Sequence, residues 1–263
     1  AGIRAAEAVL PNVPHVAIFD TAFFSTLPAE AYTYAIDADL TAKYGIRKYG
    51  FHGTSHSYVS KKAAEFLDRP LGELKTIVCH LGNGASISAV DGGVAVDTSM
   101  GLTPLQGLVM GTRSGDVDPG LPKYLNRAAG MSVDDVDAML NKASGMGGMC
   151  GYTDMRDIKS QIEAGNEQAQ LALDVYVHRL VGYIGSYIAI LGGVDALVFT
   201  AGVGENADHV RGPVVRRLKG LGFDLDESAN LVRSKQAREI STPESQVSVL
   251  VIPTAQVVVQ RRQ

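Results

Sequence analysis

The sequence is poor in cysteine, lacks tryptophan altogether and has no large excess of either charge. Its two cysteines, Cys79 and Cys150, do not have the spacing of a metal site, and a reduced, cytoplasmic chain is the simpler expectation. The net charge of −4 gives no field that would draw the chain to nucleic acid or to an anionic membrane surface. We therefore expect neither a nucleic-acid partner nor a membrane partner.

Several motifs of common enzyme classes are also missing. There is no Gly-x-x-x-x-Gly-Lys-Ser/Thr loop and no serine nucleophile elbow, which weighs against P-loop kinases and acyl-enzyme hydrolases. The turn that starts at Gly202 lacks the third glycine of a dinucleotide fingerprint, which argues against a Rossmann dehydrogenase. His52 and His56 are four residues apart, but Gly53-Thr54 is expected to break helical spacing between them, so a zinc pair is disfavoured.

No apolar run is uninterrupted over the length of a membrane span. The most apolar stretch, 171–191, contains Arg179, and its apolar residues recur on one helical face that includes Val177, Leu180 and Ile184. This pattern predicts a buried amphipathic helix over residues 167–191. The first ten residues read as the end of a helix, and no signal peptide is recognised there.

Strand-like and helical patterns alternate along the chain, which predicts an α/β fold. A continuous apolar run at 196–200 is typical of a parallel strand covered on both faces. The remaining elements are predicted from apolar periodicity and turn residues: strands at 77–79 and 247–252, and helices at 55–67, 121–129, 133–142 and 207–218. The glycine- and methionine-rich residues 145–151 are expected to form a flexible loop.

The densest signals lie between residues 76 and 113. Two turns, Gly-Asn-Gly at 82–84 and Asp-Gly-Gly at 91–93, predict two consecutive β-hairpins, because such pairs supply the positive φ angles of tight turns. The first turn has no bulky side chain and presents free backbone N–H groups, which suits a phosphate. His80 beside it could donate to a phosphate oxygen, or could equally be satisfied by a backbone carbonyl.

Two charged residues are candidates for chemistry, and each has a structural alternative. Arg113 lies in a glycine-rich loop, where a guanidinium would match a planar, anionic phosphoryl group. Its alternative is an ion pair with Asp116 or Asp118. Asp20 follows the apolar run 16–19, and the end of a buried strand is a common address for a catalytic carboxylate as well as for a turn.

Six motifs together resemble those of the acetate kinases, the acetokinase family, and they occur in that family's order over nearly the whole chain. They are Phe19-Asp20-Thr21-Ala22-Phe23, Tyr49-Gly50-Phe51-His52-Gly53-Thr54-Ser55-His56, His80-Leu81-Gly82-Asn83-Gly84-Ala85-Ser86, the stretch 97–119 around Met110-Gly111-Thr112-Arg113, Asp154-Met155-Arg156-Asp157, and Phe199-Thr200-Ala201-Gly202-Val203-Gly204-Glu205-Asn206. The resemblance implies a ribonuclease-H-like α/β fold of the actin/hexokinase type, with a mixed sheet flanked by helices, and a homodimer.

The resemblance also implies a division into domains. Residues 1–20 would be the remnant of an N-terminal domain, 21–255 the C-terminal nucleotide-binding and dimerisation domain, and 256–263 a tail that returns to the N-terminal domain. The rest of the N-terminal domain, with the first phosphate hairpin and a second substrate arginine, is expected to lie outside this chain.

The implied reaction is reversible transfer of the ATP γ-phosphoryl group to acetate, which gives acetyl phosphate and ADP and needs Mg²⁺. Arg113 and His52 match residues that stabilise the transferring group, and Asp20 matches an aspartate that holds Mg²⁺ or orients the reacting groups. Phe51 and Pro104 match the small apolar pocket for the acetate methyl. Phosphate or nucleoside contacts are implied for His80, Leu81, Gly82, Asn83, Gly84, Asp154, Met155, Arg156, Gly202, Val203, Gly204, Glu205 and Asn206.

The chain departs from the family pattern near its C-terminus. The family reads Ile-Pro-Thr-Asn-Glu there, and its glutamate is a Mg²⁺ ligand, whereas this chain has Gln256 at that position. Three alternatives stay open: a propionate kinase, since a small pocket discriminates one methylene only modestly, a non-catalytic nucleotide-binding and dimerisation module, and a sugar kinase or chaperone ATPase of the same superfamily.

Overall fold

The computed structural model describes residues 2–254, which form a mixed sheet flanked by helices. The α-helices are α1 (Gly2–Val9), α2 (Ala29–Tyr32), α3 (Ala38–Tyr44), α4 (Gly53–Phe66), α5 (Leu121–Ala129), α6 (Val133–Lys142), α7 (Gly145–Cys150), α8 (Met155–Glu163), α9 (Glu167–Leu191), α10 (Ala201–Asn206), α11 (Asp208–Arg217) and α12 (Glu227–Leu231). The strands are β1 (Lys75–Leu81), β2 (Ala85–Asp91), β3 (Val94–Thr98), β4 (Ala196–Thr200), β5 (Arg238–Glu239) and β6 (Ser248–Val251). Short 3-10 helices cover Ala22–Phe24, Leu71–Glu73 and Lys219–Leu221.

The sheet has the strand order β3-β2-β1-β4-β6-β5. Strands β1, β2 and β3 form an antiparallel meander, β4 and β6 run parallel to β1, and β5 pairs antiparallel with β6 at the edge. The predicted α/β class and both predicted hairpins are therefore confirmed. In the first hairpin Leu81 pairs with Ala85, so the turn at 82–84 projects directly from the end of β1.

The two hairpin turns differ in backbone conformation. At the second turn Gly92 and Gly93 have φ angles of 57° and 83°, as predicted for a tight turn. At 82–84 no residue has a positive φ, so that part of the prediction is wrong. The turn is closed by a hydrogen bond of 3.1 Å from the Gly82 N–H to the Gly84 carbonyl. A β-carbon on Gly82 or Gly84 would lie 3.2 or 3.3 Å from a neighbouring atom, which is tighter than most real contacts.

Helices cover both faces of the sheet, which explains why its central strands are apolar throughout. On β4, Leu197 and Phe199 belong to the larger core cluster, which includes the buried face of α9. Ala196 and Val198 face the opposite way and pack in a smaller cluster with residues of α4, among them Val59. All five residues of β4 are buried, as predicted for a doubly covered strand.

Strongly patterned helices were predicted with correct bounds, and α5, α6 and α9 are confirmed. The start of α6 carries a full capping box, in which Ser132 and Asp135 each bond to the other's backbone N–H. The helix predicted at 207–218 starts earlier and is divided at Ala207 into α10 and α11. Helix α4 begins at Gly53, so the break predicted at Gly53-Thr54 is wrong, but His52 itself lies at the N-cap and outside the helix.

Two other local predictions are wrong. Residues 16–19 form no strand, and Val16 and Phe19 are 84% and 64% exposed, because no strand among the described residues pairs with them. The expected flexible loop at 145–151 is mostly the helix α7. Glycine is a poor helix former, but here the helix is held by hydrogen bonds to a neighbouring loop.

None of the helices within 2–254 has both the length and the apolar character needed to cross a bilayer. Helix α9 is long, and its buried face includes Val177, Leu180 and Ile184, as predicted. The proposed domain boundary after residue 20 stays a prediction. The predicted tail, 256–263, lies outside the described residues.

Candidate active site

A cavity of about 440 Å³ opens beside the turn of the first hairpin. It brings together three segments that are far apart in sequence, and each of them was predicted to bind nucleotide. The lining residues from these segments are Gly82, Asn83, Asp154, Met155, Arg156, Gly202, Val203 and Asn206. Strands β1 and β4 deliver two of the segments side by side, since His80 of β1 pairs with Thr200 at the end of β4. The cavity therefore lies where the carboxyl ends of two parallel strands meet.

The hairpin turn presents unpaired donors. Among residues 2–254, no hydrogen-bond acceptor is found for the backbone N–H of Asn83 or of Gly84. The Asn83 carbonyl, by contrast, accepts a hydrogen bond of 3.0 Å from the Gly111 N–H, which fixes the turn against the loop 98–120. A fixed turn with two free N–H groups next to a cavity is suited to phosphate oxygens.

The glycine turn after β4 is held by a buried arginine. Arg211 of α11 is only 1% exposed, and its guanidinium donates to the Gly204 carbonyl at 2.9 Å. It also donates to the Asn230 side-chain oxygen and backbone carbonyl, at 2.9 and 2.7 Å. Burial lowers the pKa of Arg211 to about 10. Ala201, which begins the turn, has a φ of 64°, a strained conformation for a residue with a side chain.

The third segment forms the start of α8. Asp154 is the N-cap and accepts a hydrogen bond of 2.8 Å from the Arg156 N–H. Its carboxylate also pairs with the Arg156 guanidinium at 2.5 Å. These hydrogen bonds hold the pKa of Asp154 at about 2. The pair is exposed to solvent, so it presents both a cation and an anion at the mouth of the cavity.

A second cluster of side chains surrounds Gly84, at the end of the same hairpin turn. A β-carbon built on Gly84 would lie 3.3 Å from Nη1 of Arg113 and 3.6 Å from Cε1 and Nε2 of His52. Two predicted catalytic side chains thus converge on one glycine of the predicted phosphate hairpin. An alanine at position 84 would be in ordinary contact with His52 and would require the Arg113 guanidinium to move by a few tenths of an ångström.

Arg113 makes no ion pair with any residue that the structure describes. No carboxylate in the described part of the chain lies within 4 Å of its guanidinium, which instead donates to the Pro104 carbonyl at 3.2 Å. Asp116, one of the alternatives raised above, accepts from the Tyr183 hydroxyl at 2.6 Å and pairs with Arg179 at 3.5 Å. Asp118 caps a turn by accepting from the Gly120 N–H at 2.6 Å. The positive charge of Arg113 is therefore available for an anion.

The loop that carries Arg113 has no helix or strand, yet its backbone is anchored. The first free N–H groups of α7 donate to it, from Met146 to the Met110 carbonyl at 2.9 Å and from Gly147 to the Gly111 carbonyl at 2.8 Å. Gly145 must be a glycine, because it has a φ of 62° and its β-carbon would lie 2.2 Å from the Met110 carbonyl oxygen. Helix α7, which was not predicted, thus supports the loop 98–120 that carries Arg113, called the arginine loop below.

His52 occupies a strained position between Asp20 and the hairpin. It has a φ of 61° and lies at the N-cap of α4. Its backbone N–H donates to the Asp20 carboxylate at 2.5 Å, and the Gly53 N–H donates to the Asp20 carbonyl at 2.9 Å. A β-carbon on Gly53 would lie 2.2 Å from that carbonyl oxygen. Asp20 is exposed, and its contact with His52 joins two of the predicted catalytic residues.

The imidazole of His52 stacks on that of His80, with ring centroids 4.2 Å apart and planes 20° apart. Burial lowers the pKa of His80 to about 4, the neighbouring His52 lowers it further, and Asp20 partly opposes the shift. Burial also lowers the pKa of His52, opposed by Asp20 and reinforced by Arg113. Both rings are accordingly neutral at neutral pH. His80 Nδ1 bonds to the Ser55 hydroxyl at 2.8 Å and not to a backbone carbonyl.

The other predicted residues are distributed as follows. Phe51 is half-buried against the main core and precedes His52, and Pro104 lies beside Arg113 through the contact already described. The side chain of Leu81 is fully buried, and Gly204 packs against β4 and β1. Glu205 turns away from the cavity and accepts from the Thr254 N–H at 2.9 Å. The predicted metal position, Gln256, lies outside the described residues.

Six residues that line the cavity were not among the predicted site residues: Gly111, Met146, Thr153, Tyr176, Ala207 and His209. Of these, His209 has both ring nitrogens buried, and neither makes a well-formed hydrogen bond within residues 2–254. A β-carbon on Gly111 would lie 2.1 Å from Oδ1 of Asn83. No local pattern marks either residue, because the contacts come from segments distant in sequence.

Residues 2–254 contain no group of three or more histidine, cysteine, aspartate or glutamate side chains that could hold a metal ion by itself. Asp20 uses one carboxylate oxygen for His52, and no partner for the other is found within 2–254. One available carboxylate oxygen beside a phosphate hairpin fits Mg²⁺, which is usually bound through one or two carboxylates together with substrate phosphates and water.

Comparison with known proteins gives consistent matches. A family model described as "Acetokinase family" matches residues 1–260. The chain is 58% identical over 253 residues to an acetate kinase of Leifsonia xyli subsp. xyli, an alignment that covers 96% of this chain and 64% of that protein. The chain thus spans less than two thirds of the length of the curated relatives that it matches.

Solved structures agree with the sequence matches. An acetate kinase of Porphyromonas gingivalis superposes with a TM-score of 0.93 at 46% identity, over 97% of this chain and 64% of that chain. A propionate kinase of Francisella tularensis superposes with a TM-score of 0.91 at 45% identity, over 97% and 65%. These matches confirm the predicted fold class, an actin/hexokinase-type α/β fold with a mixed sheet flanked by helices.

Proposed function

The chain belongs to the acetokinase family, and from this premise we propose that the whole protein is an acetate kinase. It would transfer the γ-phosphoryl group of ATP to acetate, and the reverse reaction would form ATP from acetyl phosphate and ADP. The carrying observation is the junction at the first hairpin, where Gly82 and Asn83 line the cavity and the next residue, Gly84, meets Arg113 and His52. We propose acetate and not propionate as the substrate, because the curated relatives are acetate kinases.

In this proposal the nucleotide lies in the cavity and its phosphates run along the hairpin turn. The base and ribose contact 202–206 and the start of α8, and the free N–H groups of Asn83 and Gly84 donate to phosphate oxygens. The γ-phosphoryl group then faces Arg113 and His52, which meet at Gly84. Binding at one turn aligns the donor group with the residues that act on it.

Phosphoryl transfer needs little covalent chemistry from the protein, so the proposed roles are positional and electrostatic. A carboxylate oxygen of acetate attacks phosphorus, and the bond from phosphorus to the bridging oxygen of ADP breaks, with the bonding electrons passing to ADP. The Arg113 guanidinium, which has no competing carboxylate among the described residues, balances the charge on the transferring group. Neutral His52 donates an N–H to the same group. Phe51 and Pro104 border the space for the acetate methyl.

Mg²⁺ belongs to the proposal as part of the nucleotide complex. Asp20 is the described residue that would hold it, and Gln256 would add an amide oxygen. When bound, Mg²⁺ supplies positive charge to the phosphates. The hydrogen bond from the His52 N–H holds the Asp20 carboxylate beside His52.

Family membership also leads us to propose a cytoplasmic location and a homodimer. Both cysteines are free thiols, and a reducing, cytoplasmic compartment suits them. A homodimer is proposed, and light scattering of the purified chain tests it, with a monomer mass as the contradicting result.

The test of function compares two proteins. The first is this chain, and the second is this chain preceded by the N-terminal segment of the Leifsonia xyli relative. Each is incubated with ATP, Mg²⁺ and either acetate or propionate, and acyl phosphate is trapped with hydroxylamine. We expect acetyl hydroxamate from the second protein, at a higher rate than propionyl hydroxamate, and little from the first.

Nucleotide binding separates the remaining alternatives. Calorimetry with ADP should detect binding to both proteins, because the cavity lies within this chain. Binding by both proteins without hydroxamate from either would favour a non-catalytic module. Hydrolysis of ATP stimulated by glucose or by peptide, with no hydroxamate, would favour a sugar kinase or a chaperone ATPase.

A further inference from the structure

A buried chain of hydrogen bonds leads from the proposed phosphoryl site into the space between α4 and the sheet. His52 Nδ1 lies 2.9 Å from the Ser86 hydroxyl, which lies 2.7 Å from Nε2 of His56. Nδ1 of His56 lies 2.7 Å from the Ser88 hydroxyl. His56, Ser86 and Ser88 are fully buried, and the roles proposed above use none of them.

The direction of each bond in this chain depends on the others. The Ser86 hydroxyl has one proton and two histidine nitrogens as its partners, so it donates to one histidine and accepts from the other. Burial holds the pKa of His56 well below its ordinary value, and this ring is therefore neutral. A neutral imidazole has one donor and one acceptor nitrogen, so it transmits the direction of its bond with Ser88 to its bond with Ser86.

Ser88 decides between the two possible directions. In the described part of the chain, the only hydrogen-bond partner of its hydroxyl is Nδ1 of His56. If Ser88 accepted from His56, its own proton would be buried without an acceptor, which is costly. If Ser88 donates, every donor of the chain has a partner: His56 Nε2–H donates to Ser86, and Ser86 donates to Nδ1 of His52.

We propose that Ser88 and His56 are positioning residues that fix His52 in the tautomer with its proton on Nε2. That nitrogen faces Gly84 on the side of Arg113 and has no partner within 2–254. His52 then offers a neutral N–H to a phosphoryl oxygen. The opposite direction of the chain would leave a lone pair on Nε2, which would repel the same oxygen. The tautomer follows from the hydrogen bonds alone, and only the phosphoryl group as the acceptor of the His52 N–H rests on the proposed function.

The test is nitrogen NMR of this chain at pH 7, with ¹⁵N in its histidines alone. Long-range proton–nitrogen correlations distinguish protonated from unprotonated ring nitrogens, and the His52→Gln variant assigns the His52 signals by their loss. We expect His52 and His56 each to show a protonated Nε2 and an unprotonated Nδ1. A protonated Nδ1 on either ring would overturn the inference.

The Ser88→Ala variant tests the cause. Without the hydroxyl, either direction leaves one His56 nitrogen unpaired, so we expect the Nδ1 and Nε2 signals of both rings to move toward each other. Ser88→Thr keeps the donor and should retain the wild-type signals. Ser60→Ala is the matched control, because Ser60 is also buried but its hydroxyl bonds to the Ser57 carbonyl.

Unchanged signals in Ser88→Ala would show that Ser88 does not set the tautomer, and would overturn the inference. If this variant fails to fold, the wild-type spectrum still decides, since it reads the tautomer of both rings directly. The NMR result is independent of turnover. If no hydroxamate forms but the expected tautomers are observed, the proposed function alone is rejected. If hydroxamate forms but the tautomers differ from those expected, this inference alone is rejected.

Discussion

Gly84 and Arg113 are so close that a β-carbon on Gly84 would lie 3.3 Å from Nη1 of the guanidinium. This distance is tighter than most contacts of real β-carbons, so a side chain at position 84 would push the guanidinium away from the hairpin by a few tenths of an ångström or more. In addition, no acceptor for the Gly84 N–H is found among residues 2–254. A single residue therefore allows both a backbone donor and a side-chain cation to reach one anion.

Replacement of Arg113 should abolish most activity. The variant is made in this chain preceded by the N-terminal segment of the Leifsonia xyli relative. There, Arg113→Ala is expected to lower kcat by roughly 10²-fold or more, because it removes a preorganised cation that acts on the transferring phosphoryl group. Arg113→Lys should recover only part of the loss, since an ammonium lacks the planar fork. The exposed Arg127 of α5 provides the control, and Arg127→Ala should retain the wild-type kcat. An unchanged kcat in Arg113→Ala would contradict the assigned role.

Stability should fall as the solution becomes more acidic. The pKa of His80 is about 4 in the folded protein and near 6.5 when unfolded, and His56 is shifted in the same direction. Between these values the unfolded chain binds more protons, so the free energy of unfolding decreases as pH falls from 6.5 toward 4. Each histidine contributes up to about 1.4 kcal/mol per pH unit. Urea unfolding at several pH values measures the slope, which should be shallower in His80→Gln. An equal slope in both proteins would refute the assignment.

The buried arginine of α11 should matter for both stability and binding. Arg211→Met is expected to destabilise the fold by about 1–3 kcal/mol, because the Asn230 oxygens and the Gly204 carbonyl lose their donor. Nucleotide affinity should weaken as well, since Gly204 lies in the turn 202–206. Arg216→Ala is the control on the same helix. It breaks only an exposed ion pair with Glu227 and should cost less than about 1 kcal/mol. Urea unfolding and ADP calorimetry provide the two readings, and equal effects of the two variants would argue against a special role for Arg211.

His209 should contribute to nucleotide affinity. Neither of its ring nitrogens makes a well-formed hydrogen bond among the described residues, and it lines the cavity next to Asn206. A hydrogen bond to the nucleotide is worth about 0.5–1.5 kcal/mol, so His209→Ala should weaken ADP binding roughly 2- to 10-fold. His178→Ala on α9 removes a histidine that lies outside this cavity and should leave the dissociation constant unchanged. The same constant for His209→Ala and the wild type would exclude the contact.

Much of the fold could be predicted because its elements carry local signals. Helix α9 has a regular apolar face, β4 is an unbroken apolar run, and α6 starts with a capping box. Helix α7 could not be predicted, because glycine disfavours helices and the stabilising bonds come from the loop that contains Met110. Residues 16–19 have the apolar pattern of a buried strand but do not form one, because no strand within residues 2–254 pairs with them.

The candidate site was predictable only in part. The segments that line the cavity could be named from motifs, but no sequence pattern brings Arg211 to Gly204 or turns Glu205 toward Thr254. The role of glycine in the first turn was also misjudged. It was expected to supply a positive φ at 82–84, whereas in the structure Gly84 leaves space for the close approach of Arg113. Backbone preference can be read locally, but crowding depends on residues distant in sequence.

The support of the arginine loop by α7 has a kinetic consequence. The amide protons of Met146 and Gly147 are shielded by the carbonyls of Met110 and Gly111, not by carbonyls of their own helix. They can exchange with solvent deuterium only when the loop separates from the helix. The deuterium exchange rates of these two amides of α7 therefore measure how often the loop that carries Arg113 opens.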